Sequence, residues 1–167
     1  KKYESLIYQH THKNVKLVYG KHHLSHASYG FYTSNFDNAV VVTVDGVGEW
    51  ETTGIYFGNK SKLKQLKHIN FPHSLGMLYS TFTAYLGFKP NEGEYKVMGL
   101  APYGDAEKYK KQFKELYTET EDGLFKLNMK YFSYDYSERD MFTYHLPKLF
   151  GVPNRLPEEE LTQVHKD

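Results

Sequence analysis

Between residues 39 and 69 the chain alternates three strand-like runs with turn sequences, and this meander constrains the fold more than any other stretch. The runs are Ala39 to Val44, Thr52 to Phe57 and Leu63 to Ile69; the turns are Asp45-Gly46-Val47-Gly48 and Gly58-Asn59-Lys60-Ser61. Asp-Gly between apolar runs is a strong hairpin signal, because both residues accept the left-handed backbone that a tight turn needs. The first run is apolar almost without interruption, which predicts a central strand covered on both faces. A helix is expected from about Ser74 to Leu86. It carries Leu75, Leu78, Tyr79, Phe82, Tyr85 and Leu86 on one face, and Gly87 is its stop.

Strand, strand, strand, helix, with an acidic residue and glycines in the first hairpin, opens each half of the ribonuclease-H-like fold shared by actin, sugar kinases and chaperone ATPases. By that analogy the chain is an α/β protein holding part of an actin-like ATPase fold. Upstream, residues 1–12 suit a short helix, Val15 to Tyr19 a brief strand, and residues 22–33 a helix with the apolar stripe Leu24, Ala27, Ser28 and Phe31. Downstream, residues 91–104 read as a loop with one helical turn, 106–117 as a polar helix, and 124–127 as a short strand. Residues 131–137 suit an aromatic loop or edge strand, 139–150 a helix ended by Gly151, and Glu158 to Asp167 a helix cut short. A chain of 167 residues fits one domain or a piece of a larger protein. The opening Lys1 in place of an initiating Met favours the piece.

Composition narrows the function. Lys and Arg number 21 and Asp and Glu 20, a net charge of +1, so nothing electrostatic calls for nucleic acid or an anionic membrane as partner. Small ligands come first. The absence of cysteine excludes disulfides, thiolate metal sites and a cysteine nucleophile, leaving His, Asp and Glu as metal ligands. No apolar run approaches the roughly 18 residues of a membrane span, and Lys1-Lys2-Tyr3-Glu4 does not read as a signal peptide; a cytoplasmic location is expected.

The chemistry-bearing residues cluster in four places. His22 and His26, four apart on the predicted helix, lie on one face with Cβ atoms roughly 5 to 6 Å apart, close enough to share a cation. Their placement off the apolar stripe directs them to a cleft or to solvent, and a pair of solvated histidines is the plain alternative. A zinc protease would need Glu after the first histidine; position 23 is His. Asp45 could supply a third ligand, and a nitrogen and oxygen set suits Fe(II), Mn(II) or Zn(II). The glycines of Asp45-Gly46-Val47-Gly48-Glu49 would let backbone N–H groups approach phosphate oxygens, while Glu49 suits a ribose or a water as readily as bulk solvent. His73-Ser74-Leu75-Gly76 leads into the second helix, whose first turn presents N–H donors to an anion or to a capping side chain. Lys96, between Gly93 and Gly99, balances charge on a phosphate or serves as a surface lysine. Asp135 among tyrosines fits a sugar or an amine, or a loop that merely packs.

Taken in order, His22-His23-Leu24-Ser25-His26-Ala27, Val44-Asp45-Gly46-Val47-Gly48-Glu49-Trp50, Phe71-Pro72-His73-Ser74-Leu75-Gly76 and the stretch from Gly93 to Gly104 resemble the NodU/CmcH family of O-carbamoyltransferases. The resemblance covers roughly positions 15 to 104. It implies an ATPase-like domain that transfers a carbamoyl group from carbamoyl adenylate to an acceptor hydroxyl, the adenylate being made from carbamoyl phosphate and ATP by a separate YrdC-like domain. It further implies that His22, His26 and Asp45 bind Fe(II) or another divalent metal. Asp45, Gly46, Val47, Gly48, Glu49 and Gly76 then lie along the adenylate; Lys96 as a further adenylate contact and Asp135 as an acceptor contact come from the residue types alone, not from the resemblance. The family's opening strand with its His-Asp acceptor motif, a later metal-binding aspartate and the YrdC-like domain have no counterpart in the sequence, so this chain by itself is expected to be inactive or metal-poor. The alternatives are a non-catalytic or kinase-like nucleotide-binding module of the same fold, and a hydrolase using metal-bound water.

Overall fold

The computed structural model describes residues 2–167; Lys1, where the predicted first helix and the charged start begin, lies outside the described residues. The meander is present. Strands β1 (Asn38–Gly48), β2 (Glu51–Asn59) and β3 (Lys62–Asn70) form an antiparallel sheet in the order β1-β2-β3. Helices α1 (Lys2–Thr11) and α2 (His22–Tyr32) precede it, and α3 (Leu75–Tyr85) follows, so the protein is of mixed α/β class. Beyond these lie α4 (Glu94–Leu100), α5 (Lys110–Glu115), the two-stranded ribbon β4 (Tyr117–Glu119) and β5 (Phe125–Leu127), α6 (His145–Phe150) and α7 (Gln163–Lys166).

Several expectations need correction. The strand predicted at Val15 to Tyr19 does not form; the segment is irregular, and Val18 and Tyr19 are exposed. The first strand of the meander is an edge strand, with β2 in the middle. Val40, Val42 and Val44 are 64%, 59% and 53% exposed, so β1 is covered on one face only, and its burial alternates where its sequence does not. The hairpin turn also moves. Asp45 to Gly48 lie inside β1, where the register shifts between Val44 and Gly48, and the chain reverses at Glu49 and Trp50 with Glu49 left-handed at φ 63°. The polar helix predicted from 106 shortens to α5, that predicted from 139 shortens to α6, and only Gln163–Lys166 of the last is helical. The aromatic loop at 131–137 supplies core residues instead of a sheet edge: Tyr131 and Phe132 are buried.

Two layers result. On the inner face of the sheet, α2 docks with the Phe31 ring directly over Gly58, where a Cβ would lie 2.5 to 2.6 Å from the ring carbons. The main core lies on the other side of α3, where Tyr85, Leu116, Leu127, Tyr131, Phe132, Leu146 and Phe150 pack together. Phe132 and Leu146 are fully buried, each stabilising the fold by roughly 1.5 to 3 kcal/mol. Aromatic edges and faces knit this core, as in the Phe82–Phe113 stack at 4.9 Å. The C-terminal end of α3 is closed by the buried Arg155, whose guanidinium donates to the carbonyl of Leu86, an acceptor the helix leaves open, and to those of Leu156 and Glu159 in its own segment.

His73 links the two layers. Its Nδ1 accepts the Leu127 N–H at 3.2 Å, and Thr52 Oγ1 donates to its carbonyl at 2.5 Å. Burial, with the nearby Lys126 charge, lowers its pKa from 6.5. A base whose folded pKa is depressed gives stability that is present above its unfolded value and lost as the pH falls toward the folded one, because over that window the unfolded state binds the proton more readily. The urea midpoint should therefore fall further in wild type than in His73→Gln when the pH drops from about 7.5 to about 5.5; an equal fall in both would show that His73 is not the linked group.

Candidate metal centre

The site is built where α2 meets the bulged end of β1. Residues 43 and 45 alternate onto the same face of the strand, the face that α2 covers. At the margin of that contact, His22 Nε2 lies 2.6 Å from Asp45 Oδ2 and 2.9 Å from His26 Nε2, and His26 Nε2 lies 3.6 Å from the same carboxylate oxygen. The three ligand atoms all fall within 4.8 Å of one another. Gly46 N–H donates to Asp45 Oδ1 at 2.7 Å and orients the carboxylate. Burial pushes the Asp45 pKa up, but the His22 hydrogen bond, the Gly46 N–H and the two adjacent imidazoles outweigh it and hold the carboxyl below its ordinary value.

Both short contacts share one nitrogen, His22 Nε2. An imidazole nitrogen either carries a proton or offers one lone pair, so His22 Nε2 cannot serve both Asp45 and His26 by hydrogen bonding. A cation accepting all three atoms would satisfy each of them, and two imidazoles with a carboxylate suit a borderline divalent ion. The histidines and Asp45 remain partly exposed, which leaves the cluster open on one side.

The glycines have packing reasons. The His22 ring lies on Gly48, where a Cβ would overlap the imidazole. Gly76, in the first turn of α3, meets the backbone of the bulge so closely that a Cβ would stand 2.7 Å from Gly46 N and Cα and 2.8 Å from Asp45 C. Ser74, fully buried, caps α3 by accepting the Met77 N–H at 3.0 Å and donates to the Gly46 carbonyl at 2.7 Å, with that of Asp45 at 3.1 Å. Of the sequence-predicted residues, His22, His26, Asp45, Gly46, Gly48 and Gly76 thus come together. Val47 and Glu49 flank them, exposed, on the hairpin. Lys96 and Asp135 lie on other elements. Lys96, on α4, has its ammonium over the rings of Phe88 and Tyr95, and Asp135 is exposed on the loop before α6. Sequence reasoning missed His23 and Thr43: the imidazole is buried, with Nδ1 2.8 Å from Thr43 Oγ1 and Nε2 2.9 Å from the Glu51 carbonyl oxygen. The available signal was Thr43, the polar residue in an apolar strand, two positions before Asp45.

Residues 3–163 match the family described as Carbamoyltransferase N-terminus. The chain belongs to that family. Among its relatives are an uncharacterised protein of Synechocystis, 48% identical over 151 residues, and the nodulation proteins NolNO of Sinorhizobium fredii and NolO of Bradyrhizobium diazoefficiens, 35% and 36% identical over 112 and 110 residues. These matches take in 90%, 67% and 65% of this chain but only 24%, 16% and 20% of the respective relatives, so this carbamoyltransferase N-terminus spans about a quarter or less of their length.

Backbone contacts cannot yield as side chains do, and Gly76→Ala should cost about 1 to 3 kcal/mol of stability by denaturant unfolding. Gly48→Ala should act locally by displacing the His22 ring. Divalent-metal affinity should fall by more than the change in stability accounts for, as calorimetric titration beside thermal melting would reveal; unchanged affinity would refute the ring's dependence on Gly48.

Proposed function

We propose that the chain is the metal-binding part of an O-carbamoyltransferase that moves a carbamoyl group from carbamoyl adenylate to the hydroxyl of a small acceptor. The observation that carries this is the convergence of His22, His26 and Asp45 on one point, in a chain of the carbamoyltransferase N-terminus family. His22 Nε2, His26 Nε2 and Asp45 Oδ2 would hold Fe(II) or another divalent ion. When bound, such an ion supplies Lewis-acid polarisation of a carbonyl or phosphoryl oxygen and lowers the pKa of a hydroxyl.

The remaining roles fall to the chain's own groups. The hairpin from Asp45 to Glu49, with Gly76 behind it, offers backbone lacking side-chain bulk at Gly46 and Gly48, along which the adenylate lies. Lys96 balances phosphate charge, and Asp135 faces the acceptor side. In this reading the sheet and α3 form part of a ribonuclease-H-like, ATP-related fold. A YrdC-like domain elsewhere in the longer protein makes the adenylate from carbamoyl phosphate and ATP, and the reaction takes place in the cytoplasm.

Metal analysis of the anaerobically purified full-length protein tests the reading, with carbamoyl transfer by the same protein as the second measurement. Wild type should retain iron, and His22→Ala and His26→Ala should each lose most of it. Transfer should fall at least about 100-fold in either variant, since the polarisation forgone is worth several kcal/mol. Equal iron in wild type and both variants would overturn the assignment.

A further inference from the structure

We propose that His23 is the positioning residue of this centre: it fixes the rotation of α2 about its axis, and so aims His22 and His26 at Asp45 without being a ligand itself. The inference rests on the metal reading above. His23 is 2% exposed, and both of its ring nitrogens are engaged by protein, Nδ1 with Thr43 Oγ1 and Nε2 with the Glu51 carbonyl. A carbonyl only accepts, so in the neutral ring Nε2 carries the proton and Nδ1 accepts from the Thr43 hydroxyl. Neither nitrogen is left for a cation.

The two partners sit on either side of the metal ligand's own segment. Thr43 stands two residues before Asp45 on the same strand face, and Glu51 pairs across the hairpin with Gly48, on which the His22 ring rests. One imidazole therefore ties the helix to both arms of the hairpin at the level of the site. His22 is one residue and about 100° round the helix from His23, and His26 is its neighbour at i+4, so seating His23 sets the direction of both ligands. A leucine here would fill the space without the desolvation cost of a polar ring. A buried ring with two directional partners instead holds a single orientation, which apolar packing alone does not.

Cobalt titration of the intact protein, read from the d–d absorption bands, separates positioning from bulk stability. His23→Leu should keep its helix content by circular dichroism and unfold cooperatively, yet bind cobalt at least about tenfold more weakly and with altered bands, the loss expected when an outer partner of a metal site is removed. His23→Gln, whose amide can donate to the Glu51 carbonyl, should fall between Leu and wild type. Phe31→Leu, on the same helix, should lower the melting temperature and leave the bands unchanged. Wild-type affinity and bands in His23→Leu, or in His23→Gln should the Leu variant fail to fold, would overturn the positioning role. Failure of wild type to bind cobalt would instead overturn the metal reading beneath it.

Discussion

The departure of Asp45, Gly46 and Val47 from the β1 ladder is the constraint on which the rest of the site depends. Between the pairs Val44–Thr53 and Gly48–Glu51, three residues of one strand face a single residue of the other, and the backbone groups released there need partners. Ser74 provides them through one hydroxyl, which also caps α3. The cap and the bulge are thus satisfied together, and α3 is drawn so close that only glycine fits at 76. The carboxylate of Asp45 meanwhile takes the next N–H in the chain, Gly46, and presents its other oxygen to the histidines.

Energetic weight and chemistry are divided between two regions that α3 joins. The aromatic core around Phe132, Leu146 and Phe150 organises the second half of the chain by burial, with the Arg155 hydrogen bonds closing the end of α3 beside it. The sheet and α2 contribute little large apolar volume; their contact relies on Phe31 over Gly58, Ala27 and the His23 hydrogen bonds. The site therefore sits on a contact in which directional polar groups stand beside few large apolar side chains. Outside it, the exposed valines of β1 face away from both layers.

Periodicity made much of this arrangement legible. The three strands, the helix at 75 with its serine cap, and the pairing of His22 with His26 follow from patterns of two and 3.6 residues together with turn chemistry, whereas the place of Asp45 beside them came from the resemblance to the carbamoyltransferases. What was not legible depended on tertiary context. An apolar run looks the same whether both faces are covered or one, so Ala39 to Val44 read as central when the strand is at the edge. An Asp-Gly pair signals a left-handed turn, yet here the bulge absorbs it and the reversal falls on Glu49. Hydrophobicity also placed Leu24 in the buried stripe of α2, whereas the position is taken by His23, because Thr43 and the Glu51 carbonyl offer that ring partners a leucine could not use.

The match between α2 and β1 works like two scales of different spacing read against each other. Consecutive helix residues, His23 and His22, meet alternate strand residues, Thr43 and Asp45. Only one alignment satisfies both pairs, because sliding a strand by one residue sends its side chains to the opposite face. Tolerance to length change should therefore be very uneven across a short stretch of sequence. The segment from Ser34 to Asp37, which joins the helix to the strand, can gain residues at slight entropic cost. A single residue gained or lost within 22–26 or 43–48 would separate the ligands altogether, so reading-frame-preserving insertions map the centre more sharply than substitutions do.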